Sequence, residues 1–233
     1  MICFIDYRTT QNEKNMLSSL NLKIVEIPKC QDLYPAIDGH VDIQLNILNK
    51  NSKKIIIHKN LNENFKKKLS DLNINFIESS KSLTSSYPNN IILNALILDN
   101  YLIHNLNFSD KNLLLDQKDK TLINVKQGYT KCSCLPVSKK ALITSDIGIY
   151  KTLIKYDFDI LLIPPGDIIL EGLNYGFIGG TGGLIENNKM VFFGSLEHYT
   201  YGSEVKAFLK KYNVTPIYLS DNKLYDRGSI FVI

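Results

Sequence analysis

The chain has 233 residues, 27 basic and 23 acidic, with 44% hydrophobic content and a formal net charge of +4. That is enough apolar material for a substantial core, with the charge of an ordinary globular protein. The basic excess forms no stripe and accompanies no recognisable nucleic-acid module, which argues against a nucleic-acid partner.

No apolar run approaches the roughly 18 residues needed to span a bilayer, so no membrane role is expected. The opening Met-Ile-Cys-Phe-Ile-Asp lacks a basic region ahead of an apolar stretch, so it does not read as a signal peptide, and the cytoplasm is the expected compartment. The four cysteines do not suggest a disulfide framework in this size and compartment. Cys132 and Cys134 form a CxC without a second Cys/His pair, so buried thiols are expected rather than a metal site. No cofactor motif is found.

In chain order, residues 2–5 read as a strand. Residues 10–20 read as a helix with Met16, Leu17 and Leu20 apolar, and residues 22–27 as another strand. From His40, Val41, Ile43, Leu45 and Ile47 alternate with polar residues, the period-2 pattern of a half-buried strand. A turn at 49–52 leads to a strand at 55–57. Leu61, Phe65, Leu69 and Leu72 then fall at helical spacing, with Lys66, Lys67 and Lys68 as a solvated face, and residues 74–77 close the unit.

The same order recurs after Tyr87-Pro88-Asn89. It has a strand at 91–97, a turn at 99–100, a strand at 101–103, a helix capped near Ser109-Asp110 and a strand at 122–125. A third copy has strands at 132–137 and 141–143, a helix capped by Ser145-Asp146 and a strand at 160–163. A fourth begins at Tyr175-Gly176-Phe177-Ile178 and turns at 186–188. It continues through 190–193 and a helix marked by Val205, Phe208 and Leu209, and ends at 217–219.

Residues 228–233 form a leftover strand, and the N-terminal strand, helix and strand are what it lacks. The fifth unit is therefore divided between the chain ends, which leaves no end uncapped. One domain over residues 1–233 is expected.

Five such units resemble the pentein fold, the pseudo-fivefold α/β propeller of guanidino-group-modifying enzymes. Several segments are similar to an uncharacterised bacterial family of that fold: Tyr87 to Ile91 with Asn94-Ala95, Val125 to Tyr129, Ile143 to Asp146, Tyr175 to Gly180, and Phe193-Gly194 with His198. The resemblance implies hydrolase-like or amidinotransferase-like chemistry by a Cys on the last inner strand, a His acid/base and carboxylates gripping a guanidinium. Here that strand has no Cys. Ser229 is its only hydroxyl and has no base beside it in sequence.

If the first strand of each unit lines a common axis, the residues leading into those strands converge. Asp38, His40, Asp42 and Gln44 do so in the first copy. His40 and Asp42, expected on one strand face, suit a proton shuttle with an orienting carboxylate or a pair of metal ligands. Asn94 interrupts the apolar second copy.

Lys126, Gln127 and Tyr129 precede Cys132, a thiol that nearby lysines would activate and that is expected to share a face with Cys134. Gly176, Gly179, Gly180, Gly182 and Gly183 bracket Thr181 where close backbone approach leaves room for a ligand. Glu171, His198 and Asp226 are further polar candidates. The expectation is an axial small-molecule site for a guanidino or amino-acid ligand, with His40, Asp42 and Cys132 as the reactive set. The alternative is a non-catalytic protein with a macromolecular partner.

Overall fold

The computed structural model describes residues 1–186 and 188–233. Asn187, in the expected turn at 186–188, lies outside the described residues. In chain order the elements are β1 (Ile2–Asp6), α1 (Gln11–Ser19), β2 (Lys23–Ile27), α2 (Val41–Gln44), β3 (Leu45–Asn49), β4 (Lys54–Ile57), α3 (Glu63–Asp71) and β5 (Asn75–Glu78). Then come β6 (Leu96–Ile97), β7 (Tyr101–His104), α4 (Lys111–Asp116), β8 (Thr121–Asn124), α5 (Thr130–Ser133), β9 (Cys134–Ser138), β10 (Ala141–Thr144), α6 (Ile147–Leu153) and β11 (Asp159–Leu162). The chain ends with β12 (Gly182–Glu186), β13 (Lys189–Phe192), α7 (Gly202–Lys211), β14 (Thr215–Tyr218) and β15 (Phe231–Val232).

This is a mixed α/β fold of five three-stranded sheets. In each, a first strand pairs antiparallel with a middle strand, and a helix returns the chain to a third strand parallel to the middle one. The fifth sheet joins the chain ends, as its residue pattern implied. Cys3 pairs with Val232 and Phe4 with Phe231, while β1 runs parallel to β2. Residues at the C-terminal ends of all five first strands line one cavity of about 1400 Å³.

The helices follow local rules. Thr10 closes a capping box with Glu13. Asn62, Asp110 and Asp146 accept backbone N–H groups at the starts of α3, α4 and α6. In α3, Phe65 and Leu69 are buried and Lys67 and Lys68 face solvent, while Lys66 pairs with Glu63 and Glu78. The middle strands are buried on both faces, as in Ile55-Ile56-Ile57 and Ala141 to Thr144, because helices and neighbouring sheets cover them.

Four expected strands start differently. The alternation from His40 is not a strand, since Val41–Gln44 is one helical turn and the strand begins at Leu45. Cys132 likewise belongs to the turn Thr130–Ser133, and only Cys134 opens the strand. Residues 91–95 are turn and loop ahead of the two-residue β6, and 175–181 hold a 3₁₀ turn at Ile178–Gly180 ahead of β12. All four residues of Val41–Gln44 are buried. A single turn enclosed on every side has no polar face, so it carries no 3.6-residue signature and imitates a strand.

Phe4 is fully buried on the strand that binds both chain ends into one sheet. Phe4→Ala is expected to cost about 3–5 kcal/mol. Leu115→Ala, at a 57% exposed site, should stay within about 0.5 kcal/mol. Urea denaturation of the two variants measures the contrast.

Candidate functional site

The segments leading into the first strands bind one another. Asn94 Nδ2 donates to the Asp42 carbonyl at 2.9 Å, and Lys131 N donates to the Asn94 carbonyl at 3.0 Å. Lys131 Nζ donates to the Gly179 carbonyl at 3.1 Å. Ser229 N reaches the Gly180 carbonyl at 3.0 Å, and Asp42 N the Gly228 carbonyl at 3.1 Å. The circuit passes through all five units and returns to its start. These segments leave regular ladders, so their backbone groups need such partners.

A buried polar cluster sits inside this circuit. The Cys132 thiol donates to Asp42, with Sγ 3.1 Å from each carboxylate oxygen. Ser229 Oγ donates to Asp42 Oδ2 at 2.6 Å and accepts from Lys131 Nζ at 2.8 Å. Asn94 donates Nδ2 to Cys132 Sγ at 3.2 Å and accepts the backbone N–H groups of Lys131 and Cys132. His40, Asp42 and Cys132 bring a nitrogen, a carboxylate oxygen and a sulfur within 4.8 Å of one another.

His40 Nε2 also lies 4.0 Å from Asp226 Oδ1. The Asp226 carboxylate accepts from the backbone N–H groups of Phe177 and Gly228. Two glycines make this possible. A Cβ at Gly180 would lie 1.9 Å from Asp226 Oδ1, and Gly228 adopts φ +67° with its Cβ position 2.3 Å from that of His40. Ser229 has φ +75°, unusual for a residue with a side chain, and its hydroxyl bonds hold it there.

The cluster's charges follow from burial. The Cys132 thiol is pushed well above the usual thiol range by burial and then by Asp42. Burial lowers Lys131, opposed by Asp42, and raises Asp226, opposed by His40. The resting thiol is therefore protonated. Ser229, with no base near it in sequence, receives one in space from the Asp42 carboxylate, which accepts its hydroxyl proton while Lys131 Nζ donates to the same hydroxyl oxygen.

A pocket of about 260 Å³ is lined by Arg8, Leu170, Glu171, Tyr225, Asp226 and Arg227. Arg8 is clamped by Asp6 and by the carbonyl of Pro35. Arg227 lies over the Tyr225 ring, 4.4 Å from its centroid, and its buried Nε has no hydrogen-bond partner among the described residues.

The sequence candidates fall into groups. His40, Asp42, Cys132, Asn94 and Asp226 meet in the cluster, and Gly179 and Gly180 frame it with carbonyls. Glu171 is exposed at the pocket. Others serve the backbone. Gln44 donates to the carbonyls of Pro28 and Asp38, Thr181 to that of Ile178, and Gln127 bridges Asp146 and the Tyr129 amide.

The Tyr129 hydroxyl accepts from Asn90 at 2.8 Å. The Lys126 side chain is exposed, and His198 pairs with Asp221 at the surface. The expected common strand face of His40 and Asp42 is corrected, because the helical turn brings them together instead. Cys132 and Cys134 share no face either, and pack in different apolar clusters.

Sequence reasoning did not single out Arg8 or Arg227 and left Ser229 without a partner. Lone surface-type arginines carry no periodic signal. The Gly-Ser step before a terminal strand was the one available hint of an unusual backbone.

Residues 4–231 match the family described as "Family of unknown function (DUF6873)", and the chain belongs to that family. No curated protein matches it by sequence. Its fold is similar to solved structures of distant sequence. One is an amidinotransferase of the saxitoxin biosynthetic pathway from Microseira wollei, at 10% identity and TM-score 0.56, covering 92% of this chain and 73% of that one. Another is the inosamine-phosphate amidinotransferase of Streptomyces griseus, at 11% identity and TM-score 0.56, covering 92% and 74%. A third is the DDAH of Pseudomonas aeruginosa complexed with citrulline, at 9% identity and TM-score 0.53, covering 94% and 92%. These likenesses define a pentein fold.

Two outcomes follow from the site's surroundings. All four cysteines are free and buried. At pH 8 the native chain is expected to consume less than about one equivalent of iodoacetamide while the guanidinium-unfolded chain consumes four, as read by mass spectrometry.

The second outcome concerns His104, which holds the turn before Cys132 through Nε2 to the Gly128 carbonyl at 2.9 Å. Burial pulls it from 6.5 down to about 4. Between those values the folded chain binds fewer protons than the unfolded one, so stability falls as pH drops from 6.5 to 4. Urea midpoints at pH 7.5 and 4.5 should show wild type losing about 1–3 kcal/mol more than His104→Gln.

Proposed function

We propose that the five sheets form one pseudo-fivefold ring over residues 1–233, and that the chain binds a small amino-acid-like molecule in the pocket above Asp226. The observation that carries this reading is a small pocket lined by the buried Asp226 and by Glu171 together with both Arg8 and Arg227. Asp226 and Glu171 suit a guanidinium or ammonium group, and Arg227 with Arg8 suits a carboxylate. The pocket's volume lies near the lower end for small-molecule sites, which fits a ligand of that size. The Pseudomonas DDAH structure with citrulline supports the same reading, because citrulline is an amino acid.

His40, Asp42 and Cys132 lie behind Asp226 and are the groups a reaction would use. A Cys132 nucleophile would have to give its proton to Asp42, so the resting arrangement suits binding better than a preformed thiolate.

Calorimetric titration with arginine, citrulline, agmatine and glycine tests the reading. Arginine is expected to bind, and Asp226→Asn to weaken it at least about tenfold, the loss of a charge-assisted contact. Arg227→Gln should weaken arginine but leave agmatine, which lacks the carboxylate, nearly unchanged. Absence of heat and of thermal shift with all four would overturn it.

A further inference from the structure

We infer that His40, Asp42 and Cys132 form a binding site for one divalent transition-metal ion, with zinc the best match. The three ligand atoms are already gathered within 4.8 Å. Cys132 Sγ lies 3.1 Å from both Asp42 oxygens, while donor atoms about 2.0–2.3 Å from a tetrahedral zinc lie about 3.5 Å apart. The His40 nitrogen completes the set within that same 4.8 Å.

His40 also supplies an independent observation. Its side chain is 1% exposed, and among the described residues neither ring nitrogen has a hydrogen-bond partner. Buried polar atoms are nearly always satisfied, and this ring sits beside a carboxylate and a thiol with nothing bonded to it. An ion on one ring nitrogen gives it a partner.

The surroundings are those a metal site needs. Asp226, 4.0 Å from His40 Nε2, is placed to orient the imidazole as carboxylates do behind metal-bound histidines. Asn94 fixes both other ligands, through its bond to Cys132 Sγ and its bond to the Asp42 carbonyl.

One sulfur, one nitrogen and one oxygen favour zinc or cobalt over magnesium or calcium, which take oxygen ligands. The thiolate and the carboxylate together neutralise the ion. Binding replaces the S–H bond of Cys132 with a sulfur–metal bond, and the thiol proton leaves to solvent, one per ion. Three protein ligands leave a fourth position open.

The test uses the full chain, stripped with chelator and titrated with cobalt(II) and zinc(II). The expected result is one equivalent bound, a thiolate-to-cobalt charge-transfer band in the near ultraviolet, one proton released and a raised melting temperature with zinc. Cys132→Ser should abolish the band, and His40→Gln should weaken zinc at least about tenfold. Cys134→Ser should keep both.

The cobalt and zinc titrations of the unaltered chain do not depend on any variant folding. No band and no retained zinc there would overturn the inference, as would a band that survives Cys132→Ser or vanishes in Cys134→Ser with native circular dichroism. An arginine titration in chelator tests the ligand pocket separately, so the two readings can fail independently.

Discussion

The structure depends on a closed circuit of hydrogen bonds among the segments that lead into the five first strands. These segments cannot use ladder bonds of their own, because each leaves its sheet before the strand begins. Asp42 N to the Gly228 carbonyl and Ser229 N to the Gly180 carbonyl are the links that bring the last unit to its neighbours. Each link satisfies buried backbone and also fixes the side chain beside it. The polar cluster results from the way the sheets are joined, and is not an addition to a finished core.

This arrangement explains which parts could be read in the residues. The order of strand, strand, helix and strand was visible because β4 and β10 are apolar runs and because Thr10, Asp110 and Asp146 mark helix starts. The joining of the chain ends was visible because each end holds what the other lacks. The lead-in turns were not visible. Val41–Gln44 and Thr130–Ser133 are each a single buried turn, too short for helical periodicity and too enclosed to show a polar face. The meeting of His40, Asp42, Cys132 and Asp226 was anticipated from their places at the entries of expected first strands, although the structure sets His40, Asp42 and Cys132 in turns ahead of those strands and the strand-face argument was mistaken. Arg8 and Arg227 gave no local signal, since their position at the pocket exists only once β1 and β15 meet in the fifth sheet.

The cluster holds reactive side chains in unreactive states. Cys132 keeps its proton because burial and Asp42 both oppose a thiolate, and Lys131 is surrounded by carbonyl and hydroxyl oxygen with its charge disfavoured. A cation bound between Asp42 and the Cys132 sulfur relieves the opposition to the thiolate, by neutralising Asp42 and stabilising sulfur as an anion, and disfavours the Lys131 charge further.

The division of the fifth sheet between the chain ends also has a consequence for biosynthesis. A nascent chain stopped before Asp226 already contains His40, Asp42, Asn94 and Cys132, yet lacks the carboxylate and the hydroxyl that complete the cluster. It also leaves β1 without its antiparallel neighbour, an open edge of the kind that pairs with other chains. A chain made only to that point therefore carries an incomplete site and an adhesive strand, and residues 226–232 end both conditions together.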